Sequence, residues 1–337
     1  MQISPETQLF IREHQTDDVR ALALQARKYP NVDMPIAITQ IAGRQVAAEK
    51  IPSWRDTDDI WYPKHLSLEQ CSSEVTARYK ATLLKGNSLT DLTGGFGIDC
   101  AFLATKFKSA IYVERQQELC EIAAHNFPIL NLNHINVKNE DGVSYLQAMS
   151  PVDCIFLDPA RRNEHGGKTV AISDCEPDVA ELEELLLNKA GQVMVKLSPM
   201  LDLSLALKEL QHVQEVHIIS ANNECKELLL ILGQASVEEI SIHCVNLPTR
   251  GTQEEQHFVF TREQEQRSEC NYTDTLENYL YEPNASLLKA GAFRSIASAF
   301  PVKKLHPNSH LYTSDVLVES FPGRAFHIIS QCSLNKK

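Results

Sequence analysis

Apolar and polar positions alternate with two different rhythms along this chain. Through residues 1–80 the apolar spacing is helical. Asp17 to Lys28 places Val19, Ala21, Leu22, Leu24 and Ala26 near one stripe, and Pro35 to Glu49 continues with Ile36, Ile38, Ile41, Val46 and Ala47. A third helix is predicted from Ser67 to Leu84, with Ser67 as N-cap and Gln70 at the capping-box spacing. Both tryptophans fall in the proline-flanked link between the last two helices, Trp54 after Pro52 and Trp61 before Pro63. Such aromatics either pin a connection onto the core or stack on a substrate.

From Ser88 the rhythm becomes strand, helix, strand, helix. Strands are predicted at Ser88–Leu92, Ala110–Glu114, Ile135–Lys138, Asp153–Asp158, Gln192–Leu197 and Glu215–Ser220. Helices are predicted at Gln116–Phe127, Gly142–Met149 and Pro177–Leu187. Short apolar runs alternating with amphipathic helices indicate an α/β fold, a parallel sheet covered on both faces. Residues 226–233 add a strand so soon after Ser220 that only an antiparallel hairpin fits. A mainly parallel sheet closed by such a hairpin is Rossmann-like. Beyond it, strand-like Ile240–Val245 and His257–Phe260 suggest a small β-containing unit. A last segment holds a helix over Ala285–Phe300 and a strand over Leu311–Val318. The expected organisation is a helical region (1–80), the α/β core (81–236), a small unit (237–282) and a C-terminal unit (283–337).

Composition narrows this picture. At 337 residues and 43% hydrophobic content the chain suits about two soluble domains. It has no apolar run of membrane length and no signal-peptide start. Nine scattered cysteines, none in a C-x-x-C pair, read as reduced thiols in a cytoplasm. The net charge is −12, an unfavourable balance for general nucleic-acid binding. Residues 283–337 are the exception, with seven Lys and Arg against two acids. That segment is either an RNA-docking surface or ordinary basic surface.

The chemistry concentrates after the first strand. Asp91-Leu92-Thr93-Gly94-Gly95-Phe96-Gly97-Ile98-Asp99 is a glycine-rich turn between a strand and a helix. Such a turn lets backbone N–H groups approach an anionic ligand group, and Thr93 adds a hydroxyl. Glu114, followed by Arg115, ends the second strand 19 residues after Gly95. An acid there accepts from ribose hydroxyls, or caps the helix that follows. Glu140 and Asp141 end the third strand, where an acid accepts from an adenine amine, caps a helix, or does both. Asp158-Pro159-Ala160-Arg161-Arg162 ends the fourth. Ligand crevices lie beyond the carboxyl ends of such strands, so Asp158 is expected to orient or deprotonate a substrate. Arg161 and Arg162 either contact a phosphate or carboxylate, or pair with Glu164 or Asp178. Lys196, ending the fifth strand, either faces the same crevice or is structural. Gly166-Gly167-Lys168 lacks P-loop spacing and reads as a mobile edge over the acceptor site. Gln70, Ser72, Ser73, Thr76 and Lys80 are expected on the helix feeding the first strand, either lining the cofactor mouth or packing on the core. His306 and His310 have ligand spacing, but Pro307 opposes the helix that would align them, so no metal site is expected.

At these residues the chain resembles class I S-adenosylmethionine (AdoMet)-dependent methyltransferases. More narrowly, it is similar to a bacterial group, common in Bacteroidetes, with a THUMP-like domain C-terminal to the methyltransferase fold. The resemblance rests on Gln70–Glu74, Thr76–Lys80, Asp91–Asp99, Asp158–Arg162, Gly166–Thr169, Asp174–Asp178 and Tyr281–Phe293. It implies AdoMet as cofactor, held by Asp91, Thr93, Gly94, Gly95, Phe96, Gly97, Glu114, Arg115, Glu140, Asp141, Asp158 and Pro159. It implies Asp158, Arg161 and Lys196 as catalytic residues. It also implies a ferredoxin-like unit at 237–282, a THUMP-like unit at 283–337 with RNA (tRNA or rRNA) as partner, and relatives that continue past Lys337. One departure stands out. Enzymes that methylate base amines carry Asn/Asp-Pro-Pro and an aromatic, whereas Pro159 is followed here by Ala160 and Arg161. A small-molecule or protein acceptor, or a non-catalytic AdoMet- or RNA-binding role, is the alternative.

Overall fold

A computed structural model describes residues 3–161, 171–248 and 254–332, and of Arg161 only the backbone. Its contacts divide the chain into two compact units, Met1–Ala160 with Glu181–Met194, and Arg161–Ala180 with Val195–Lys337.

The first unit opens with helices α1 (Pro5–Glu13), α2 (Val19–Leu24) and α3 (Met34–Lys50). Ser4, Asp18 and Asp33 cap them with side-chain oxygens. Phe10, Leu22, Met34, Ala37 and Ile41 form their shared core. The helix predicted to reach Lys28 ends at Leu24, which is exposed, and continues only as a 3₁₀ turn over Ala26–Lys28. Of the predicted stripe in α2 only Leu22 is buried.

Next come α4 (Pro52–Arg55), α5 (His65–Gln70) and α6 (Glu74–Leu83). The single helix expected over Ser67–Leu84 is therefore two. Cys71 is extended, and Ser73 accepts from Thr76 N to cap α6. Adjacent serines compete with helical backbone bonds and favour such a break. The tryptophan link is pinned to the core. Trp54 is buried, and Trp61 stacks on His125 with ring centroids 3.7 Å apart. Asn126 donates to Trp61 O and accepts from Trp61 N, both at 2.9 Å. Gln40 makes the same reciprocal pair with Tyr62.

The sheet then begins: β1 (Ser88–Asp91), α7 (Ile98–Ala104), β2 (Ser109–Glu114), α8 (Gln117–Ile129), β3 (Ile135–Asn139), α9 (Gly142–Ala148) and β4 (Val152–Leu157). β1 pairs in parallel with β2 and β4, and β2 with β3. The strand interiors are buried, with Leu89, Tyr112, Val113, Ile155 and Phe156 at their centre.

After the short β5 (Ala160–Arg161) and β6 (Cys175–Glu176) come α10 (Val179–Lys189), β7 (Ala190–Leu197) and α11 (Leu203–Glu209). In the second unit β8 (Val213–Ala221) and β9 (Glu224–Gly233) form the predicted antiparallel hairpin. Its turn residues Asn222 and Asn223 have φ of 49° and 64°, the left-handed pair that a two-residue hairpin requires. The next strands, β10 (Ser241–Leu247) and β11 (Gln256–Thr261), do not make a sheet of their own, as the reading of 237–282 expected. β10 pairs in parallel with β8, and β11 antiparallel with β10. The resulting nine-stranded sheet has the order β11-β10-β8-β9-β7-β4-β1-β2-β3, a mostly parallel Rossmann-like arrangement.

The chain ends with α12 (Arg262–Arg267), β12 (Tyr279–Pro283), α13 (Ala285–Ala290), α14 (Phe293–Ala299), β13 (Lys303–Lys304), β14 (Tyr312–Ser314) and β15 (Gly323–His327). Its strands form a small antiparallel sheet in the order β13-β14-β12-β15. The helix expected over Ala285–Phe300 is broken at Gly291, a left-handed C-cap with φ 76°. The strand expected over Leu311–Val318 stops at Ser314, because the chain turns around Tyr281. That phenol donates to Val316 O and accepts from Val318 N.

Candidate active site

Parallel strands point their carboxyl ends the same way, so the loops after β1, β2, β3 and β4 open on one edge of the first unit. Asp91, the last residue of β1, is buried, and its Oδ1 accepts from Thr93 N at 3.0 Å. The Thr93 hydroxyl in turn accepts from the Asp158 amide at 2.6 Å. One side chain thus ties the glycine turn to the end of β4.

The turn itself is set by its neighbours. A Cβ on Gly94 would lie 2.2 Å from the ring of Tyr112. The Tyr112 hydroxyl donates to Gly95 O at 2.5 Å. Burial, with Glu114 nearby, pushes that phenol well above its ordinary pKa, so it stays a donor. Gly97, with φ 90°, caps α7 in the left-handed region. Phe96 is buried against Trp54, with ring centroids 5.1 Å apart.

Glu114 joins the turn to β2. Its Oε2 accepts from Gly95 N at 2.9 Å and its Oε1 from Gln116 N at 2.8 Å. The bonded Gln116 is the N-cap residue of α8, so Glu114 fixes the approach to that helix without capping its first-turn amides, and each oxygen keeps a second lone pair for a hydroxyl donor. Asp141 caps α9 by accepting from Ser144 N at 2.9 Å, and is exposed. Glu140, which precedes Asp141, and Arg115, which follows Glu114, are exposed, with Glu140 N donating to Glu114 O at 3.1 Å. Asp158 is half-buried and Pro159 buried.

Three of the amides expected to serve an anion are engaged by the turn's own neighbours. Gly94 N donates to Val113 O, Gly95 N to Glu114, and Gly97 N to Gly94 O. All three bond within the protein. The Cα of Gly95 does face open space, since nothing but Thr93 O comes within 4 Å of a Cβ placed there. Glu114, Asp141 and Asp158, at the ends of β2, β3 and β4, form an acceptor set that fits a nucleoside-bearing ligand with hydroxyl and amine donors.

For Lys80 and Ser72 the structure decides between the two roles the sequence left open, in favour of core packing. Lys80 on α6 is fully buried, with its ammonium 3.0 Å from Asp99 Oδ1 and 2.9 Å from Ser72 Oγ. Ser72 Oγ donates to Asp99 Oδ2 at 2.7 Å. Lys80 and Ser72 therefore brace the first turn of α7 from the core side, and Ser72 lies off the helix on which it was expected. The signal was present, since Lys80 sits between buried Ala77 and Ala81, on the apolar face of α6. Lys196 is buried in β7 and belongs to the second unit. Arg162 and Gly166-Gly167-Lys168 lie outside the described residues, as does the Arg161 side chain. A cavity of about 360 Å³ lined by Trp54, Arg78, Phe102 and Leu132 includes none of the candidate cofactor residues.

A solved structure named "Crystal structure of putative methyltransferase from Porphyromonas gingivalis W83" matches this chain at 37% identity and a TM-score of 0.85. The match covers 96% of this chain and 81% of that one. The chain belongs to the family of that methyltransferase. A family profile described as protein-L-isoaspartate(D-aspartate) O-methyltransferase matches residues 54–163, the segment that holds the glycine turn and Asp158. A ferredoxin-like domain profile matches residues 279–322. That places the ferredoxin-like likeness on the small antiparallel sheet and not on residues 237–282, whose strands extend the large one. No curated protein matches the chain. An rRNA methylase from Streptococcus thermophilus is 16% identical, covering 48% of this chain and 95% of that one, with a TM-score of 0.34. TrmK of M. capricolum, in complex with S-adenosyl-homocysteine, is 12% identical over 48% and 68%, with a TM-score of 0.37. At those values neither likeness bears on function.

Proposed function

We propose that this methyltransferase takes its methyl group from AdoMet and passes it to an acceptor at the carboxyl end of β4. The observation that carries this reading is the placement of Glu114, Asp141 and Asp158 after β2, β3 and β4, parallel strands of one sheet that flank or follow β1, with Glu114 bonded to the glycine turn and Thr93 tying that turn to Asp158. AdoMet, when bound, supplies a methyl group on a positively charged sulfur, activated for in-line displacement. Glu114 offers lone pairs to vicinal hydroxyls, and Asp141 to an amine or hydroxyl donor. Asp158 receives or orients the acceptor's proton, and the Thr93 hydroxyl fixes the backbone from which it projects.

RNA is the acceptor that the family resemblance implies, docking through residues 283–337. One specific observation favours a second reading, a small-molecule or protein acceptor. The described cations of that segment are engaged by the protein itself. Lys303 pairs with Glu277 and Arg324 with Glu282. Lys289 donates to Leu201 O and Arg294 to Gln266 O. Lys304 is buried and donates to Pro307 O at 2.6 Å. Paired and buried cations release few counterions on meeting a phosphate backbone.

Methyl-labelled AdoMet incubated with total RNA, protein and small-molecule fractions tests both readings. Incorporation that disappears in Asp158→Ala supports methyl transfer at this site, and the labelled fraction identifies the acceptor class. Absence of AdoMet binding by calorimetry overturns the cofactor assignment.

A further inference from the structure

In the second unit, three side chains of metal-ligating type, none of them assigned a part in methyl transfer, converge on one face of the sheet. They are Glu215 and His217 on β8, and His243 on β10. Residues two apart on a strand share a face, so Glu215 and His217 point the same way. The parallel register sets His243 directly beside His217, and their rings stack with centroids 4.3 Å apart. One ligand atom from each of the three lies within 4.8 Å of the other two. Two imidazoles and a carboxylate form a donor set suited to zinc and its first-row neighbours.

The distances fit an ion as well as the donor types do. Tetrahedral zinc with bonds of 2.0–2.2 Å holds its ligand atoms about 3.3 Å apart. Glu215 Oε2 and His217 Nε2 stand 3.1 Å apart, so this edge is already in place. The carboxylate side of the cluster is partly exposed while His217 is buried, which gives an ion a path in and a low-dielectric seat.

A third histidine supplies the outer support that ligating imidazoles need. His257 on β11 is paired with Val245, which shares a face with His243. His257 Nε2 lies 3.2 Å from His243 Nδ1, and Ser241 Oγ lies 3.1 Å from His243 Nε2. Whichever nitrogen of His243 takes an ion, the opposite one keeps a hydrogen-bond partner. The sequence hid this arrangement, because its members come from three strands and no two of the histidines are close in the chain.

We propose that Glu215, His217 and His243 form a binding site for a zinc-class divalent ion, with His257 orienting His243. The ion would clamp β8 to β10. Three protein ligands leave one tetrahedral position for water or a further ligand.

The test uses the untagged full chain, stripped with a chelator and titrated with Co²⁺ and then Zn²⁺. The expected result is one ion per chain, a visible cobalt absorption band of tetrahedral intensity that Zn²⁺ displaces, and a rise in Tm on metal addition. His243→Ala should weaken binding by about a hundredfold or more, and His257→Ala by about tenfold, as expected for a supporting partner. Glu215→Gln, at the exposed rim, gives a second variant whose folding is secure if His243→Ala fails to fold. His306→Ala, outside the cluster, should leave binding unchanged. The proposal is overturned if the stripped chain shows no saturable 1:1 binding, or if binding survives both His243→Ala and Glu215→Gln undiminished.

Discussion

The Lys80 ammonium lies 3.0 Å from Asp99 Oδ1, with the lysine side chain wholly buried and that of the aspartate only 10% exposed. Breaking such a pair from one side leaves a charge uncompensated in the interior. Lys80→Met should therefore destabilise the chain by about 3–5 kcal/mol, and Lys80→Met/Asp99→Asn by clearly less. Urea denaturation of the two variants separates these outcomes. Equal losses in both would show that the lysine acts through packing alone.

Glu114 has two tasks that a glutamine performs unequally. Glu114→Gln keeps one oxygen as acceptor, so only one of Gly95 N and Gln116 N retains its bond, and the amide nitrogen presents donors to the other. Losing a charge-assisted bond costs about 1.5–3 kcal/mol. AdoMet affinity should fall by roughly ten- to a hundredfold if ribose recognition runs through this carboxylate. Calorimetric titration reads this directly, and unchanged affinity would remove Glu114 from the cofactor site.

Asn126 holds Trp61 by two reciprocal backbone bonds across 65 residues of chain. Asn126→Ala leaves one donor and one acceptor of the Trp61 backbone without that partner, a loss of about 2–4 kcal/mol at the usual cost per group. Trp61 should become more solvent-exposed, giving a red-shifted fluorescence maximum at temperatures below the main transition. An unshifted spectrum would mean that stacking on His125 alone holds the link.

The amides of Asn87 and Ser88, with the Ser88 hydroxyl, all donate to Asp153 and hold its pKa below the ordinary carboxylate value. A carboxylate depressed on folding adds stability above its unfolded pKa and loses it as pH falls through the folded one. Asp153→Asn should therefore flatten the acid limb of the stability curve below about pH 4 while leaving its shape near neutrality intact. Thermal melts across pH 2–7 would show this. An acid limb as steep as that of the parent chain would assign the loss to other carboxylates.

How much of this was legible in the sequence varies with the range of the interaction. The α/β rhythm, the antiparallel hairpin at Asn222-Asn223 and the capping by Asp141 follow from local pattern, and local pattern carries them. The break at Cys71–Ser73 was not visible, because the apolar spacing on both sides matches one continuous helix. The membership of β10 and β11 in the large sheet depends on pairing with β8, which periodicity does not encode. At the site, acids at strand ends were readable from spacing. The internal use of the turn's amides was not, since it depends on Glu114 and Val113 reaching across from β2. For Lys80 the sequence left cofactor contact and core packing both open, and its flanking alanines already reported the burial that decides for the core.

The contact between Gly94 and the Tyr112 ring has an evolutionary side. With 2.2 Å available, no side chain enters at position 94 unless position 112 shrinks in the same step. The shrinking residue would also surrender the hydroxyl that holds Gly95 O. Variation at position 94 alone is therefore closed to drift, and at position 112 it costs the bond to Gly95 O. Relatives that differ at position 94 should differ at both places together, and a mutant library that varies codon 94 alone will return the parental residue.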